Sequence, residues 1–259
     1  MSTWTPRTVT CECGESIQTR VADGLHISRL PHIRQQILDR TFHRVTCPRC
    51  SRVSRIDKKL LYTDFPRHHW IGVCPPAWTP RWSVLERSLT DEFERVICRA
   101  APPAIQALGP SFRVRLVFGY DQLAEKLHIF DAGLDDRIVE RVKLQILAKH
   151  LDLFAPGIQM LLVPPTPASD RLEFEVSRPG HPGYYVVGCT RALYDAEIAR
   201  GEPSELDGVA FACLDRIVHP VLAADDPRAR GDGWSDIVGT PGSILMAPTL
   251  PLVPDEGAQ

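Results

Sequence analysis

No run of apolar residues in this 259-residue chain approaches the length of about 18 residues that a transmembrane helix needs. The first residues, Met-Ser-Thr-Trp-Thr-Pro-Arg, lack the basic region and apolar core of a signal peptide. We therefore expect neither a membrane span nor export. Cysteines in a chain without an export signal indicate a reducing, cytoplasmic environment rather than a disulfide framework.

The common catalytic motifs are also missing. The chain has no Gly-x-Ser-x-Gly, no glycine-rich phosphate loop before a lysine, and no His-Glu-x-x-His. It shows neither an internal repeat nor a heptad pattern. These absences favour a non-catalytic protein. An enzyme would need residues that only the fold brings together, and a pocket lined by Asp64, Asp131 and histidines would be the first sign of one.

The net charge is only −2, but the charges are unevenly distributed. Residues 1–80 hold 12 Lys/Arg and 6 Asp/Glu, whereas residues 156–259 hold 7 and 15. A basic N-terminal lobe can bind nucleic acid, and its candidate side chains are Arg44, Arg49, Arg52, Arg55, Lys58 and Lys59. A solvated arginine-rich surface, or one that docks on the acidic half of a neighbouring copy, accounts for the same pattern.

Four of the cysteines form two close pairs, Cys11-x-Cys13 and Cys47-Pro-Arg-Cys50. Two such pairs on tight turns can place four sulfurs around one zinc ion at about 2.3 Å. Because four thiolates fill a tetrahedral site, the predicted cofactor is one structural Zn2+ per chain, with no open position for catalysis. A redox Cys-x-x-Cys and thiols without metal are the alternatives, although a redox pair normally opens a helix.

The two cysteine turns differ in one respect. Gly14 follows Cys13 and supplies the positive φ that such a turn needs, whereas Ser51 stands at the equivalent place after Cys50. The second turn is therefore expected to be less regular. The remaining cysteines stand singly in apolar surroundings and are predicted to be small buried hydrophobic residues: Cys74, Cys98, Cys189 and Cys213.

Hydrophobic periodicity predicts an α+β fold. Alternating segments predict a zinc-ribbon-like antiparallel hairpin over residues 42–46 and 51–56, and further strands over residues 15–21, 60–64, 69–73, 112–118, 158–163, 172–176 and 184–189. Residues 209–213 are predicted to be another strand or a short apolar segment. Amphipathic helices are predicted near residues 29–40, 79–100, 121–130, 135–150 and 190–200, and Thr79 is the predicted cap of the second.

These elements divide the chain into three parts. We expect a zinc-binding α+β domain over residues 7–150, with a helical insertion between the cysteine pairs, and a smaller β-rich α+β module over residues 157–221. Residues 222–259 are predicted to be a flexible tail. Within that tail, Ile244-Leu245-Met246 is either a docking segment for another protein or a chance apolar island.

Two clusters of polar residues could carry chemistry. The densest group of carboxylates comprises Glu125, Asp131, Asp135 and Asp136. Helix capping and the helix dipole explain Asp135 and Asp136 at a helix start, and a second metal site or acid catalysis by the group is the alternative. His68 and His69 are predicted to be surface turn residues, because neighbours on a strand point to opposite faces and cannot share one ion.

The combined pattern resembles the CpXC domain family of bacterial and archaeal proteins. The matching segments are Cys11-Glu-Cys13-Gly14, Phe42 to Cys50, Leu61-Tyr62-Thr63-Asp64, Arg115 to Tyr120 and Glu125 to Arg137. The first pair is Cys-x-Cys where many members have Cys-Pro-x-Cys. The resemblance implies a zinc-ribbon-like element in an α+β domain and supplies no reaction.

The predicted function is therefore that of a structural-zinc protein that binds another protein as a regulatory or accessory component. The partner could be a second copy of the chain, which would make it a homo-oligomer. Nucleic-acid binding by the basic lobe is the main alternative.

Overall fold

The computed structural model describes residues 2–150, 157–166, 169–178 and 183–218, together with the backbone of residues 245–248. The strands are β1 (Thr3–Thr10), β2 (Ser16–His26), β3 (Arg44–Thr46), β4 (Val53–Asp57), β5 (Leu60–Asp64), β6 (His69–Cys74), β7 (Arg113–Phe118), β8 (Gln159–Leu162), β9 (Arg171–Ser177), β10 (Tyr185–Thr190) and β11 (Leu245–Pro248). The α-helices are α1 (Pro31–Leu38), α2 (Trp82–Phe93), α3 (Pro103–Gln106), α4 (Tyr120–Asp131), α5 (Asp136–Lys149), α6 (Arg191–Arg200) and α7 (Asp215–Val218). The fold is α+β, as the periodicity predicts.

A five-stranded mixed sheet, in the order β1-β2-β5-β6-β7, lies at the centre of the molecule. Its hairpins β1/β2 and β5/β6 are antiparallel, whereas β2/β5 and β6/β7 pair in parallel. One face packs against α1, α4 and α5, with Tyr62 and Ile71 in that core. The other face packs against α2 and includes Trp70 and Leu116. All residues of β6 are buried, because helices cover this strand on both faces.

The C-terminal strands form a second, antiparallel sheet in the order β10-β9-β8. Its inward residues Met160, Phe174 and Val176 belong to the same apolar cluster as the α4 and α5 side of the central sheet. Residues 157–218 therefore pack directly on the N-terminal part of the chain. That residues 7–150 and 157–221 are two separate domains stays a prediction.

The predicted hairpin β3/β4 carries a third strand, β11, on the free side of β4. Leu245 lies opposite Asp57 in this antiparallel pairing. Part of the apolar island in the predicted tail thus contacts the chain's own hairpin. The rest of the prediction for residues 222–259 lies outside the described residues.

Three local predictions need correction. No strand is predicted over residues 3–10, yet β1 forms there as an edge strand, which tolerates Pro6 because edge strands need fewer backbone donors. Thr79 does not cap the next helix: it lies in a 3-10 turn and donates its hydroxyl to the Pro76 carbonyl, and α2 begins at Trp82. Of the two alternatives for residues 209–213, the strand is wrong: they form a short buried apolar segment, in which the Ala210 carbonyl accepts a hydrogen bond from the backbone of Leu116 in β7.

The π-helical segment Glu94–Arg99 continues α2. Among the described helices, none combines the length and the apolar composition that crossing a bilayer would require.

Candidate metal centre

The two cysteine pairs lie at the tips of two hairpins. Cys11 and Cys13 occupy the turn between β1 and β2, and Cys47 and Cys50 occupy the turn between β3 and β4. In each turn a backbone N–H donates to the carbonyl of the first cysteine, at 2.8 Å in the first turn and 2.9 Å in the second. The two hairpins present their sulfurs towards each other.

The sulfur positions fit one metal ion. Cys11 Sγ lies 3.6 Å from Cys50 Sγ, and Cys13 Sγ lies 3.6 Å from Cys47 Sγ. All four sulfurs lie within 4.8 Å of one another. A tetrahedral zinc site with bonds of about 2.3 Å has sulfur–sulfur edges of about 3.8 Å. The four cysteines can therefore hold a metal ion. All eight cysteines of the chain lie in the described residues, and none of them forms a disulfide there.

The backbone around Cys47 favours its thiolate. Burial of this side chain opposes ionisation, but hydrogen bonds from the backbone N–H groups of Cys50 and Arg49 and from the thiols of Cys50 and Cys13 together outweigh burial and lower the pKa of Cys47 to about 7. The thiolate is the form of cysteine that binds metals. The Arg49 side chain also donates to the Cys13 carbonyl at 3.2 Å and so joins the two turns.

The core beneath these turns is small. It consists of Val9, Val21 and Ile56, with Ile17 and Val45 partly buried against them. Each of the two hairpins contributes to it. Because so little apolar surface is buried here, the two hairpins alone would have a low free energy of unfolding. A bound metal would supply the rest of that free energy.

The second turn is more regular than its sequence suggested. Ser51 adopts φ 58, the same left-handed region in which Gly14 takes φ 86. A residue with a Cβ atom pays about 1–2 kcal/mol for this conformation. The geometry of the turn is thus imposed on serine, and strain is stored there.

We expect Ser51→Gly to raise the free energy of unfolding by about 0.5–1 kcal/mol, because glycine relieves the strain but has a more flexible unfolded state. Denaturant unfolding of the metal-loaded protein measures this change. Thr46→Gly is the matched control: Thr46 is an exposed residue of β3, and glycine in a strand should lower stability. A loss of stability in Ser51→Gly would show that the serine side chain itself holds the turn.

Several side chains predicted to bind nucleic acid make contacts within the chain. The two terminal nitrogens of Arg55, Nη1 and Nη2, each donate to Asp121 at 2.8 Å. Lys58 pairs with Asp23, and Arg52 pairs with Glu12. Arg49 bridges the cysteine turns as described above, and Lys59 also has an interaction partner. Arg44 differs from these residues, since it forms no ion pair with the described part of the chain.

Helix capping explains only one of the clustered carboxylates. Asp135 caps α5 and accepts a hydrogen bond from the backbone of Arg137 at 2.9 Å. Asp131 lies on the surface, where Arg34 donates to it at 2.6 Å. Asp136, in contrast, is buried, and Arg115 binds both of its oxygens at 2.7 and 2.9 Å. Asp136 lies in the first turn of α5, as the helix-dipole interpretation expects, but cationic side chains bind it and it does not cap the helix.

Asp136 and Glu125 belong to a network of buried charges between α4 and α5. Lys126 donates to Glu140 at 3.0 Å and lies 3.1 Å from Asp136. Lys143 contacts Glu125 at 2.7 Å and Glu140 at 3.0 Å. Each of these five side chains is at most 2% exposed. Lys126, Lys143 and Glu140 are not among the residues predicted from the sequence, because lysine and glutamate on amphipathic helices are normally expected to face solvent.

The C-terminal part of the chain closes this network. Lys126 Nζ donates to the Ala212 carbonyl at 2.6 Å, and Glu140 accepts from the backbone of Leu214 at 2.9 Å. Glu125 accepts from the backbone of Leu162 in β8 at 2.6 Å. Main-chain groups from both ends of the C-terminal module thus satisfy charges on α4 and α5.

The prediction that His69 is a surface turn residue is wrong, because this side chain is buried. It is 2% exposed and packs against Phe130, whereas His68 packs against Phe112 on the opposite side of the sheet. His69 stands opposite Asp64 in the β5/β6 ladder, and Arg34 lies 4.0 Å from Asp64. Burial lowers the pKa of His69 to about 4, so its imidazole is neutral at pH 7.

The single cysteines follow their prediction in part. Cys74 and Cys213 are buried, whereas Cys98 and Cys189 are partly exposed. Burial raises the pKa of Cys74 to about 12, so this thiol stays protonated at physiological pH.

Fold and site together define an α+β protein whose N-terminal hairpins present a four-cysteine centre able to hold a metal ion. The chain belongs to the CpXC protein family, whose model matches residues 9–143 and so spans both cysteine pairs and the start of α5. Comparison with curated proteins and with solved structures gives no match.

Proposed function

We propose that the chain binds one structural Zn2+ through Cys11, Cys13, Cys47 and Cys50, and that it acts as a non-catalytic component that binds another protein. The sulfur–sulfur distances of 3.6 Å support zinc, because they lie close to the edge of a tetrahedral thiolate site. Four protein ligands leave no coordination position for a substrate or a reactive water.

An apolar edge of the C-terminal sheet is the observation that supports protein binding. Within the described residues, β10 pairs only with β9, so its other side offers unpaired backbone groups. Tyr184, Tyr185 and Val186 at this edge are 51%, 51% and 55% exposed. Ile198 on α6, the helix that follows β10, is 52% exposed. Natural proteins usually protect such an edge with charge or with a partner.

We therefore infer that a strand of the partner protein adds to β10. Backbone hydrogen bonds would provide affinity, and the exposed tyrosines and Val186 would contact alternate side chains of the added strand. Aromatic residues are enriched at the centres of protein interfaces, which agrees with tyrosines at this edge.

A photo-crosslinking amino acid at Tyr185 tests this interaction in cells that express the full chain. A specific adduct larger than the chain, absent when the same group replaces Arg87 on the exposed side of α2, is the expected result. An adduct of twice the chain mass would identify a second copy as the partner. Equal labelling at both positions, or no adduct at Tyr185, would contradict the proposal.

A further inference from the structure

A cavity of about 310 Å3 lies beside the cysteine-bearing hairpin, between β2, α1 and β3. Its polar lining includes Arg20 and Thr19 from β2, Gln36 from α1 and Arg44 from β3. The rings of Trp4 and Phe42 form an aromatic wall, and Val45 and Ile56 complete it. None of the described residues that line this cavity is acidic.

Both arginines of the cavity lack a counter-ion in the described part of the chain. Arg44 Nε is buried and has no hydrogen-bond partner there. Arg44 acts electrostatically on the carboxylate of Asp121, but both oxygens of Asp121 already accept from Arg55. Two guanidinium groups at one cavity, with their donors unused, form a complementary site for an oxyanion.

The register of the hairpin makes the positive charge at Arg44 costly. Arg44 stands directly opposite Arg55 in the β3/β4 ladder, and like charges in this position repel each other. Asp121 neutralises Arg55, but Arg44 has no equivalent partner among the described residues. An anion bound at Arg44 would remove the repulsion, as Asp121 does for Arg55.

His43 contributes shape to the cavity but no charge. Its Nε2 accepts a hydrogen bond from the backbone of Ala22 at 2.9 Å, so the proton resides on Nδ1, which donates to the Tyr120 hydroxyl. Burial lowers the pKa of His43 to about 4, and the ring is neutral at pH 7. The positive charge at the cavity therefore comes from its two arginines.

We propose that this cavity binds a small organic phosphate, with the phosphate on Arg20 and Arg44 and a flat ring against Trp4. Guanidinium groups bind phosphate through paired N–H donors, and an aromatic wall favours a flat, apolar ring. The volume of about 310 Å3 accommodates a small molecule and lies within the range of ligand pockets. This site is separate from the four sulfurs, and it does not depend on the protein partner at β10.

Calorimetric titration of the metal-loaded full chain with adenosine monophosphate tests the site. We expect saturable 1:1 binding, no binding of adenosine, and weaker binding of inorganic phosphate, which has no ring. Arg44→Gln and Arg20→Gln should each weaken binding at least about 10-fold, since each removes charge-assisted hydrogen bonds to the phosphate. Arg87→Gln, which removes an exposed arginine of α2, should leave affinity unchanged.

A thermal melt of the ligand-free variants separates binding from a structural role. Arg44→Gln should melt at the same or a higher temperature than the wild type, because it removes the repulsion with Arg55. A lower melting temperature, no saturable binding, or equal loss of affinity in Arg87→Gln would overturn the proposal. Tighter binding of a single-stranded oligonucleotide through the same arginines would also overturn it and assign the site to nucleic acid.

Discussion

Replacing Lys143 with methionine is expected to cost about 3–5 kcal/mol of folding free energy, enough to unfold much of the protein at moderate denaturant concentration. The substitution removes one ammonium from the centre of the buried network. Glu125 and Glu140 then lose contacts of 2.7 and 3.0 Å in a region that solvent does not reach. A buried charge without a partner costs far more than a surface charge.

The pKa directions of Lys143 and Glu140 agree with this expectation, whereas burial and the neighbouring Glu140 carboxylate outweigh the lysines at Glu125 and raise its pKa. Burial alone would lower the pKa of Lys143, but the carboxylates of Glu125 and Glu140 outweigh burial and raise it. For Glu140, burial favours the neutral acid, and the ammonium groups of Lys126 and Lys143 outweigh burial and lower its pKa. Because the pKa of Glu140 is lower in the folded state, its contribution to stability is present above the unfolded pKa and is lost as the pH falls.

Urea unfolding followed by circular dichroism measures the loss. Lys149→Met is the matched control, because Lys149 lies on the same helix but is exposed, and its change should stay within about 0.5 kcal/mol. The double variant Lys143→Met with Glu125→Gln should recover part of the stability, since it removes the charge left behind. A cost below about 1 kcal/mol for Lys143→Met would mean that water reaches the network.

Replacing Cys47 with serine is expected to abolish stoichiometric metal binding and to open the N-terminal hairpins. One lost thiolate leaves three sulfur ligands and an incomplete tetrahedron. The metal-binding energy of a structural site, on the order of 10 kcal/mol in peptides, then no longer supports the small apolar cluster of Val9, Val21 and Ile56 beneath the two turns. The helices α2, α4 and α5 belong to two larger cores and should stay folded.

Metal analysis and hydrogen exchange test this prediction on the same samples. The wild type should contain one zinc per chain. Chelation should increase exchange in the two cysteine turns and in β3 and β4 much more than in β5–β7, whereas the end of β2 that pairs with β5 should stay protected. Cys98→Ser is the control, since it removes a sulfur outside the four-cysteine centre and should retain the metal. Unchanged zinc content in Cys47→Ser, or equal protection of the hairpins after chelation, would refute a structural metal. Another bound metal would refute zinc.

The metal centre could be predicted from local spacing, because each pair of ligands lies within one turn. The same local rules predicted most helices and strands, including the hairpin β3/β4. They failed at Ser51, because a side chain can be held in the left-handed region when the turn around it is fixed by other contacts. They also missed β1, whose threonines and single tryptophan form no clear apolar alternation.

The buried network could not be predicted, for a different reason. Glu125 and Lys126 are adjacent on α4, and in the sequence they look like a solvent-exposed pair. Their burial depends on Ala212 and Leu162, which lie 86 and 37 residues away in the chain. No periodicity in α4 encodes such distant contacts.

The closure of the network by residues 212–214 also has a consequence during protein synthesis. The charges on α4 and α5 obtain their last partners only after the Ala212 carbonyl and the Leu214 amide have left the ribosome. Until then these two helices carry lysines and glutamates that cannot be buried without large cost. The chain therefore completes its largest core only after residue 214 has been synthesised. Chains truncated before this residue stay incompletely folded and are substrates for chaperones and proteases.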